Sequence, residues 1–257
     1  MKAGIFLVGT ELLNGATIDT NSIYIAEELN KYGIEIEFKM TVRDVMDEIV
    51  KALKYAKKNV DLVILTGGLG PTDDDITKEA MAKFLKKKLV VDEKEKKELL
   101  KKYKSYKNPN KTNFKEVEKP EGAISFKNDV GMAPAVYVDG LVAFPGFPNE
   151  LKNMFPKFLK YYVKENNLKS QIYIKDIITY GIGESVLETT VKDLFTEGDI
   201  FYEFLVKDYG TLIRLQTKIE NKKNVAKIVK KLYNRISEFI IGEDDERIEN
   251  TIFECLN

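Results

Sequence analysis

The stretch Thr66-Gly67-Gly68-Leu69-Gly70-Pro71-Thr72-Asp73-Asp74-Asp75-Ile76-Thr77 carries most of the chemistry legible in this chain. Its glycines follow an apolar segment, Leu62 to Leu65, and a helical pattern begins after its aspartates. Glycines after a strand let the backbone approach a ligand and turn N–H groups toward it. The start of a helix adds partial positive charge that favours phosphate. Three carboxylates there would repel a bare phosphate. A divalent cation between them resolves the conflict, since Mg²⁺ takes oxygen ligands from carboxylate and phosphate alike. The plain alternative is a tight turn with aspartates as helix caps. Capping needs one or two acids, not three beside Gly-Gly-Leu-Gly.

Other loops could face the same site. Val8-Gly9-Thr10-Glu11-Leu12-Leu13 places Glu11 just past a first strand. Asp19-Thr20-Asn21-Ser22 opens the next helix, where Asp19 or Thr20 could serve as the cap and Asn21 and Ser22 would lie in the first turn. Asn128 to Pro134 and Phe144 to Glu150 are rich in turn residues, and their glycines and prolines could be architecture or pocket wall. Gly181-Ile182-Gly183-Glu184 reads as a strand-to-helix turn; such a turn could approach an RNA backbone, but it lacks lysine or arginine. The charge runs at Lys86 to Lys88 and Glu93 to Lys104 read as solvated faces.

These loops need a scaffold, and the preceding elements supply one. Ala3 to Val8 and Asp61 to Leu65 read as buried strands and Ile34 to Thr41 as an alternating one. Thr20 to Tyr32, Asp44 to Lys57 and Asp75 to Leu85 carry helical spacing. Strand and helix in alternation predict an α/β fold: a three-layer, mainly parallel sheet, whose ligands bind beyond the carboxyl ends of the strands. Asp92 to Tyr106 reads as a charged helix ended by Asn108-Pro109-Asn110. Asp139-Gly140 between Ala135 to Val138 and Leu141 to Phe144 predicts a hairpin, and Asn149 to Tyr162 a helix. From about Ser170 a small α+β unit of βαββα order is expected. The domains are therefore drawn at 1–169 and 170–243, with a tail at 244–257.

Composition narrows the chemistry. The chain has 257 residues, with 41 Lys+Arg against 41 Asp+Glu, so net charge gives no support to a dedicated nucleic-acid binder. It has no histidine, which removes histidine bases, triads and metal ligands. Its one cysteine, Cys255, allows no internal disulfide and reads as a packing residue. No apolar run is long enough to span a membrane, and the first residues read as a strand and not a signal peptide. A cytoplasmic protein is expected.

At these loops the chain resembles the CinA family of competence/damage-inducible proteins. The matching motifs are V-G-T-E-L-L at 8–13, D-T-N-S at 19–22, T-G-G-L-G-P-T-x-D-D at 66–75, N-x-x-G-x-A-P at 128–134 and P-G-x-P-x-E at 145–150, with G-I-G-E at 181–184 in the second unit. The resemblance covers essentially the whole chain. It implies a molybdopterin-binding-like domain followed by a KH-like domain. It also implies divalent-metal-dependent hydrolysis of ADP-ribose to AMP and ribose 5-phosphate, with Mg²⁺ as the first expectation and Co²⁺, Mn²⁺ or Ni²⁺ as alternatives. Two other readings stand beside it: a molybdopterin-binding or adenylyl-transferring protein, and a non-enzymatic nucleotide or nucleic-acid module. The family's nicotinamide mononucleotide deamidase domain would begin where this chain stops, so its absence is expected, as is a homodimer.

On that reading Asp74 and Asp75 hold the metal, Asp75 matching the acid that related T-G-G-T-G loops use. Glu11 or Asp19 orients the attacking water. Gly67, Gly68 and Gly70 donate to phosphate, and Asn21 and Ser22 bond phosphate or ribose. Gly9, Thr10, Leu69, Thr72, Gly131, Pro134, Pro145 and Gly146 complete the nucleotide pocket. Two departures from the family pattern, Ala135 for a glycine and Phe147 for a proline, put the pocket walls in question.

Overall fold

The computed structural model describes residues 1–103, 114–196 and 199–244. The chain divides into two units, one of Met1–Asn30 with Ile34–Leu168, the other of Lys31–Gly33 with the chain from Lys169 on.

In the first unit β1 (Lys2–Val8) is buried from Ala3 onward, as its unbroken apolar run requires of a central strand. It is followed by the one-turn helix α1 (Thr10–Leu13), then α2 (Asn21–Asn30), β2 (Glu35–Val42), α3 (Met46–Asn59) and β3 (Leu62–Thr66). The chain continues through α4 (Thr77–Leu85), β4 (Leu89–Val91), α5 (Glu93–Tyr103), β5 (Glu118–Pro120) and β6 (Ile124–Phe126). It ends in β7 (Ala135–Val138), β8 (Leu141–Phe144) and α6 (Pro148–Glu165).

The main sheet runs β2-β1-β3-β8-β7-β6. Its first four strands are parallel, and the β7–β8 hairpin and β6 complete it antiparallel. Strand alternation sorts the side chains by face. Phe6, Val8, Val63 and Leu65 join Ile49, Leu53 and Met81 of α3 and α4 in one core. On the opposite face Phe144 packs at a tilt against Phe155 and edge-on against Phe158 of α6, and Tyr24 of α2 meets Phe155 edge-on. The sheet is thus covered on both sides, the three-layer arrangement expected. A small ladder, β4 with β5, lies apart from the main sheet.

The order fixes where a ligand can sit. From β1 the chain crosses to β2 on one side, then returns to β3 on the other. The crevice between the carboxyl ends of β1 and β3 is the switch point of the sheet, the usual binding position in such folds. Val8–Gly9 and Thr66–Gly67 leave the sheet there side by side, Leu7 being paired with Thr66.

The second unit holds β9 (Ile172–Thr179), α7 (Glu184–Val191), β10 (Phe201–Lys207), β11 (Gly210–Lys218), α8 (Lys222–Ile236) and β12 (Ile240–Glu243). Its sheet order is β10-β11-β9-β12, all antiparallel. The expected βαββα order misses β12. That strand is short, and Lys175 of β9 secures its end through ion pairs with Glu243 and Asp244, a partner far away in sequence. Asn108 to Asn110, Cys255 and the tail past Asp244 lie outside the described residues. No helix among the described residues is long and apolar enough to cross a membrane.

Candidate functional site

Gly67 and Gly68 adopt φ of 107° and 67°, the region open mainly to glycine. A Cβ on Gly67 would overlap the Val8 carbonyl oxygen, so only glycine lets the tips of β1 and β3 lie this close. The Gly67 N–H donates to Phe144 O at 2.9 Å. It is therefore spent on β8, correcting the expectation that it binds phosphate. The N–H groups of Gly68, Leu69 and Gly70 meet no acceptor among the described residues. The Leu69 side chain is part of the core and does not reach a ligand.

The aspartates divide their roles. Asp75 Oδ2 accepts the Thr72 N–H at 3.0 Å and the Thr72 hydroxyl at 2.5 Å, folding the loop into a closed turn. Helix α4 consequently starts at Thr77, two residues later than its pattern suggests, and Thr72 keeps both donors within the loop. The same hydroxyl lies beside Asp74 and, with Asp74's own backbone N–H and the charge of Lys115, holds that carboxyl below the usual carboxylate range. A hydroxyl has one proton, so it serves one carboxylate at a time. Asp73 and Asp74 are exposed. Among the described residues no three acidic or cysteine side chains cluster tightly enough to hold a metal. Asp74 and Asp75 still suit a Mg²⁺-like ion that keeps several waters and arrives on a phosphate, since such ions use one or two carboxylates.

Lysines enter this loop from directions the sequence did not reveal. Lys115, in the turn Phe114–Val117, donates from Nζ to Thr72 O at 2.6 Å and pairs with Glu79 Oε1 at 3.3 Å. Its own carbonyl accepts a hydrogen bond from Lys78 Nζ. Lys78 is 1% exposed, and burial lowers its ammonium to about 8 against the pull of Glu79, Glu118 and Glu116. Beside it, burial raises the Glu116 carboxyl, which accepts a bond from the Tyr103 hydroxyl.

On the α2 side lies a cavity of about 70 Å³, lined among others by Glu11, Asp19, Asn21, Thr66 and Gly146. Asp19 caps α2: Oδ1 accepts the Ser22 N–H at 2.9 Å and Oδ2 the Ser22 hydroxyl. That commits the donor of the Ser22 hydroxyl to Asp19, so Ser22 could only accept from a ligand, while each Asp19 oxygen keeps a further acceptor site. Asn21 Nδ2 donates to Thr66 Oγ1 at 2.8 Å and to Gly146 O at 2.7 Å. A carbonyl can only accept, so Gly146 fixes the amide orientation. Asn21 Oδ1 then remains buried with no partner. The unpartnered atom of Asn21 is thus a buried acceptor, not the donor a phosphate would need.

The remaining expected residues are mostly committed to architecture. Thr10 gives its N–H and its hydroxyl to Asp44, at 2.9 and 3.3 Å, an acid at the end of β2 that the motif reading passed over. The Glu11 carboxylate folds against Gly9. Asn128 is fully satisfied: it accepts from Val130 and Gly131 and donates to Ala133 O and Glu150. Gly131 thus spends its N–H on Asn128 and its carbonyl on Lys102. Pro134 and Pro145 are buried and do not line the cavity.

A model described as a probable molybdopterin binding domain matches residues 4–165, and one described as the damage-inducible protein CinA KH domain matches residues 175–243. A CinA-like protein of Fusobacterium nucleatum subsp. nucleatum is 96% identical over the whole chain, and a putative competence-damage inducible protein of Halothermothrix orenii is 37% identical over it. The chain spans 64% of the length of each of these relatives. A solved structure of the protein CinA from Thermoplasma acidophilum, described as of unknown function, aligns with a TM-score of 0.56 at 33% identity, covering 64% of this chain and 96% of that one.

Proposed function

The chain belongs to the CinA family, carrying a probable molybdopterin-binding domain and a CinA KH domain, and from that premise we propose that its first unit hydrolyses the pyrophosphate of a nucleoside diphosphate sugar, ADP-ribose foremost. One observation carries the reading. At the switch point the N–H groups of Gly68 to Gly70, which meet no acceptor among the described residues, follow closely on Thr66, which lines the cavity together with Asn21, whose Oδ1 is buried without a partner. Such a site suits a ligand with anionic oxygens at one end and hydroxyl or amine donors at the other. A nucleoside diphosphate has both.

The residues divide the work accordingly. The Gly68–Gly70 amides bind phosphate oxygens at no cost of reorganisation. Asn21 accepts a hydrogen bond from a ribose hydroxyl or base amine, orienting the ligand. Glu11, at the cavity edge, accepts a hydrogen bond from the attacking water and turns its oxygen toward phosphorus. That oxygen bonds to one phosphorus as its proton passes to Glu11, and the bridging oxygen leaves with the other phosphorus as a phosphate oxygen, giving AMP and ribose 5-phosphate. Asp74 and Asp75 would hold a divalent cation, which when bound offsets charge on the phosphoryl oxygens and acidifies a water.

Incubation of the protein with ADP-ribose and Mg²⁺, Mn²⁺, Co²⁺ or Ni²⁺, followed by chromatography, tests this. AMP is expected with at least one metal, and its absence with all four refutes the hydrolase. The description of the matching domain favours a second reading, a site for molybdopterin. Its phosphate and donor-rich ring fit the same donor and acceptor arrangement. Tighter binding of molybdopterin than of ADP-ribose, without turnover of the latter, would select it.

A further inference from the structure

Three aspartates beside an anion site leave an electrostatic problem that a cation from solution need not solve alone. Lys115 is a cation fixed by the fold at the same loop. Its backbone is held because the buried Lys78 ammonium bonds its carbonyl. Its side chain is 16% exposed, and its Nζ lies 2.6 Å from the carbonyl of Thr72, two residues beyond the open amide of Gly70. Glu79 Oε1 lies 3.3 Å from the same Nζ. A held ammonium that has already lost most of its hydration loses little more when an anion arrives, whereas a surface lysine must first be ordered.

We propose that Lys115 is a phosphate-binding residue of this site, its charge setting the affinity for the diphosphate of the ligand. The proposal deepens the hydrolase reading and rests on it. Lys115 offsets the repulsion from Asp73, Asp74 and Asp75 from inside the protein, and the Gly68–Gly70 amides supply the directional bonds. Lys78 acts one step behind, as a positioning residue for the turn that carries Lys115.

Calorimetric titration of wild type, Lys115→Gln and Lys115→Arg with ADP-ribose, in Mg²⁺ and at several salt concentrations, tests the charge itself. Glutamine can still donate to Thr72 O, so it preserves the loop while removing the charge. ADP-ribose should bind Lys115→Gln about tenfold or more weakly, the usual scale for losing a bond to a charged group. Its affinity should also fall less steeply with salt, and Lys115→Arg should recover most of the loss. A merely structural role would leave the salt slope unchanged. Equal affinity in wild type and Lys115→Gln, or equal losses in the glutamine and arginine variants, overturns the proposal. If wild type releases AMP in the hydrolase assay while Lys115→Gln binds normally, this proposal alone falls. If wild type neither binds ADP-ribose nor releases AMP, both readings fall.

Discussion

Replacing Asn21 separates what this amide does for the fold from what it does for a ligand. Its Nδ2 makes two buried hydrogen bonds, to Thr66 Oγ1 and Gly146 O, while its Oδ1 is buried with none. Truncation to alanine removes both bonds, at about 1 kcal/mol each. It also removes an unsatisfied acceptor, whose desolvation costs about 1 kcal/mol at the low end of its range. The net loss is about 1 kcal/mol, a fall of roughly 2–4 °C in Tm for a unit of this size. Aspartate is nearly isosteric yet should be worse. It places a carboxylate oxygen where Nδ2 now meets the Gly146 carbonyl, turning a bond into a repulsion between acceptors. The cost is about 2–4 kcal/mol from two lost bonds and a buried, uncompensated charge. Thermal and urea unfolding of the two variants give the order directly. Asn21→Asp as stable as wild type would refute the pairing of Nδ2 with the Gly146 carbonyl and the orientation of the amide that rests on it. Binding supplies the second half: Asn21→Ala should bind ADP-ribose about tenfold more weakly, and unchanged affinity would remove Asn21 from the site.

Three further perturbations follow from the loop. Gly67→Ala should destabilise the first unit by about 1–3 kcal/mol or more, because φ of 107° strains any side chain and the Cβ meets the Val8 oxygen; a urea melt within 0.5 kcal/mol of wild type would contradict it. Asp75→Asn keeps an oxygen for the Thr72 N–H and hydroxyl but drops the charge. It should unfold near the wild-type temperature while losing metal-dependent AMP release, whereas Asp75→Ala should lose loop order as well, visible in faster amide exchange at Thr72. The third concerns Lys78, whose ammonium titrates at about 8 in the folded protein against 10.5 ordinarily. Between these values the unfolded chain binds more protons, so stability should rise as pH climbs through that window. The rise is roughly 3 kcal/mol at most and is fully developed above 10.5. Lys78→Met should abolish this component, and parallel pH profiles for the two proteins would refute it.

Where one segment carried its own signal, the sequence was enough. β1 and β3 are unbroken apolar runs and Asp139-Gly140 marks the β7–β8 hairpin, so the parallel sheet and its glycine loop could be read directly. What stayed hidden depends on partners remote in the chain. β12 is four residues whose pairing with β9 spans about sixty positions, and β4 finds β5 across the whole of α5. The same reason hid Asp44 and Lys115: neither lies in a motif, and each matters only because the fold carries it to Thr10 or Thr72. The donor and acceptor states of the motif residues were also beyond the sequence. Motif position suggested that Ser22, Thr10 and Gly131 face a ligand, but their hydrogen bonds turn inward to Asp19, Asp44 and Asn128.

The Asn21 amide joins segments 45 and 125 residues away in the chain. Neither contact can form until β3 has docked beside β1 and β8 beside β3, because those pairings bring Thr66 and Gly146 to the same edge. Such long loop closures come late in folding. The acceptor cavity is thus among the last features of the first unit to appear, and partly folded chains lack it. Ligand that binds there will select completed molecules and draw the folding equilibrium toward them.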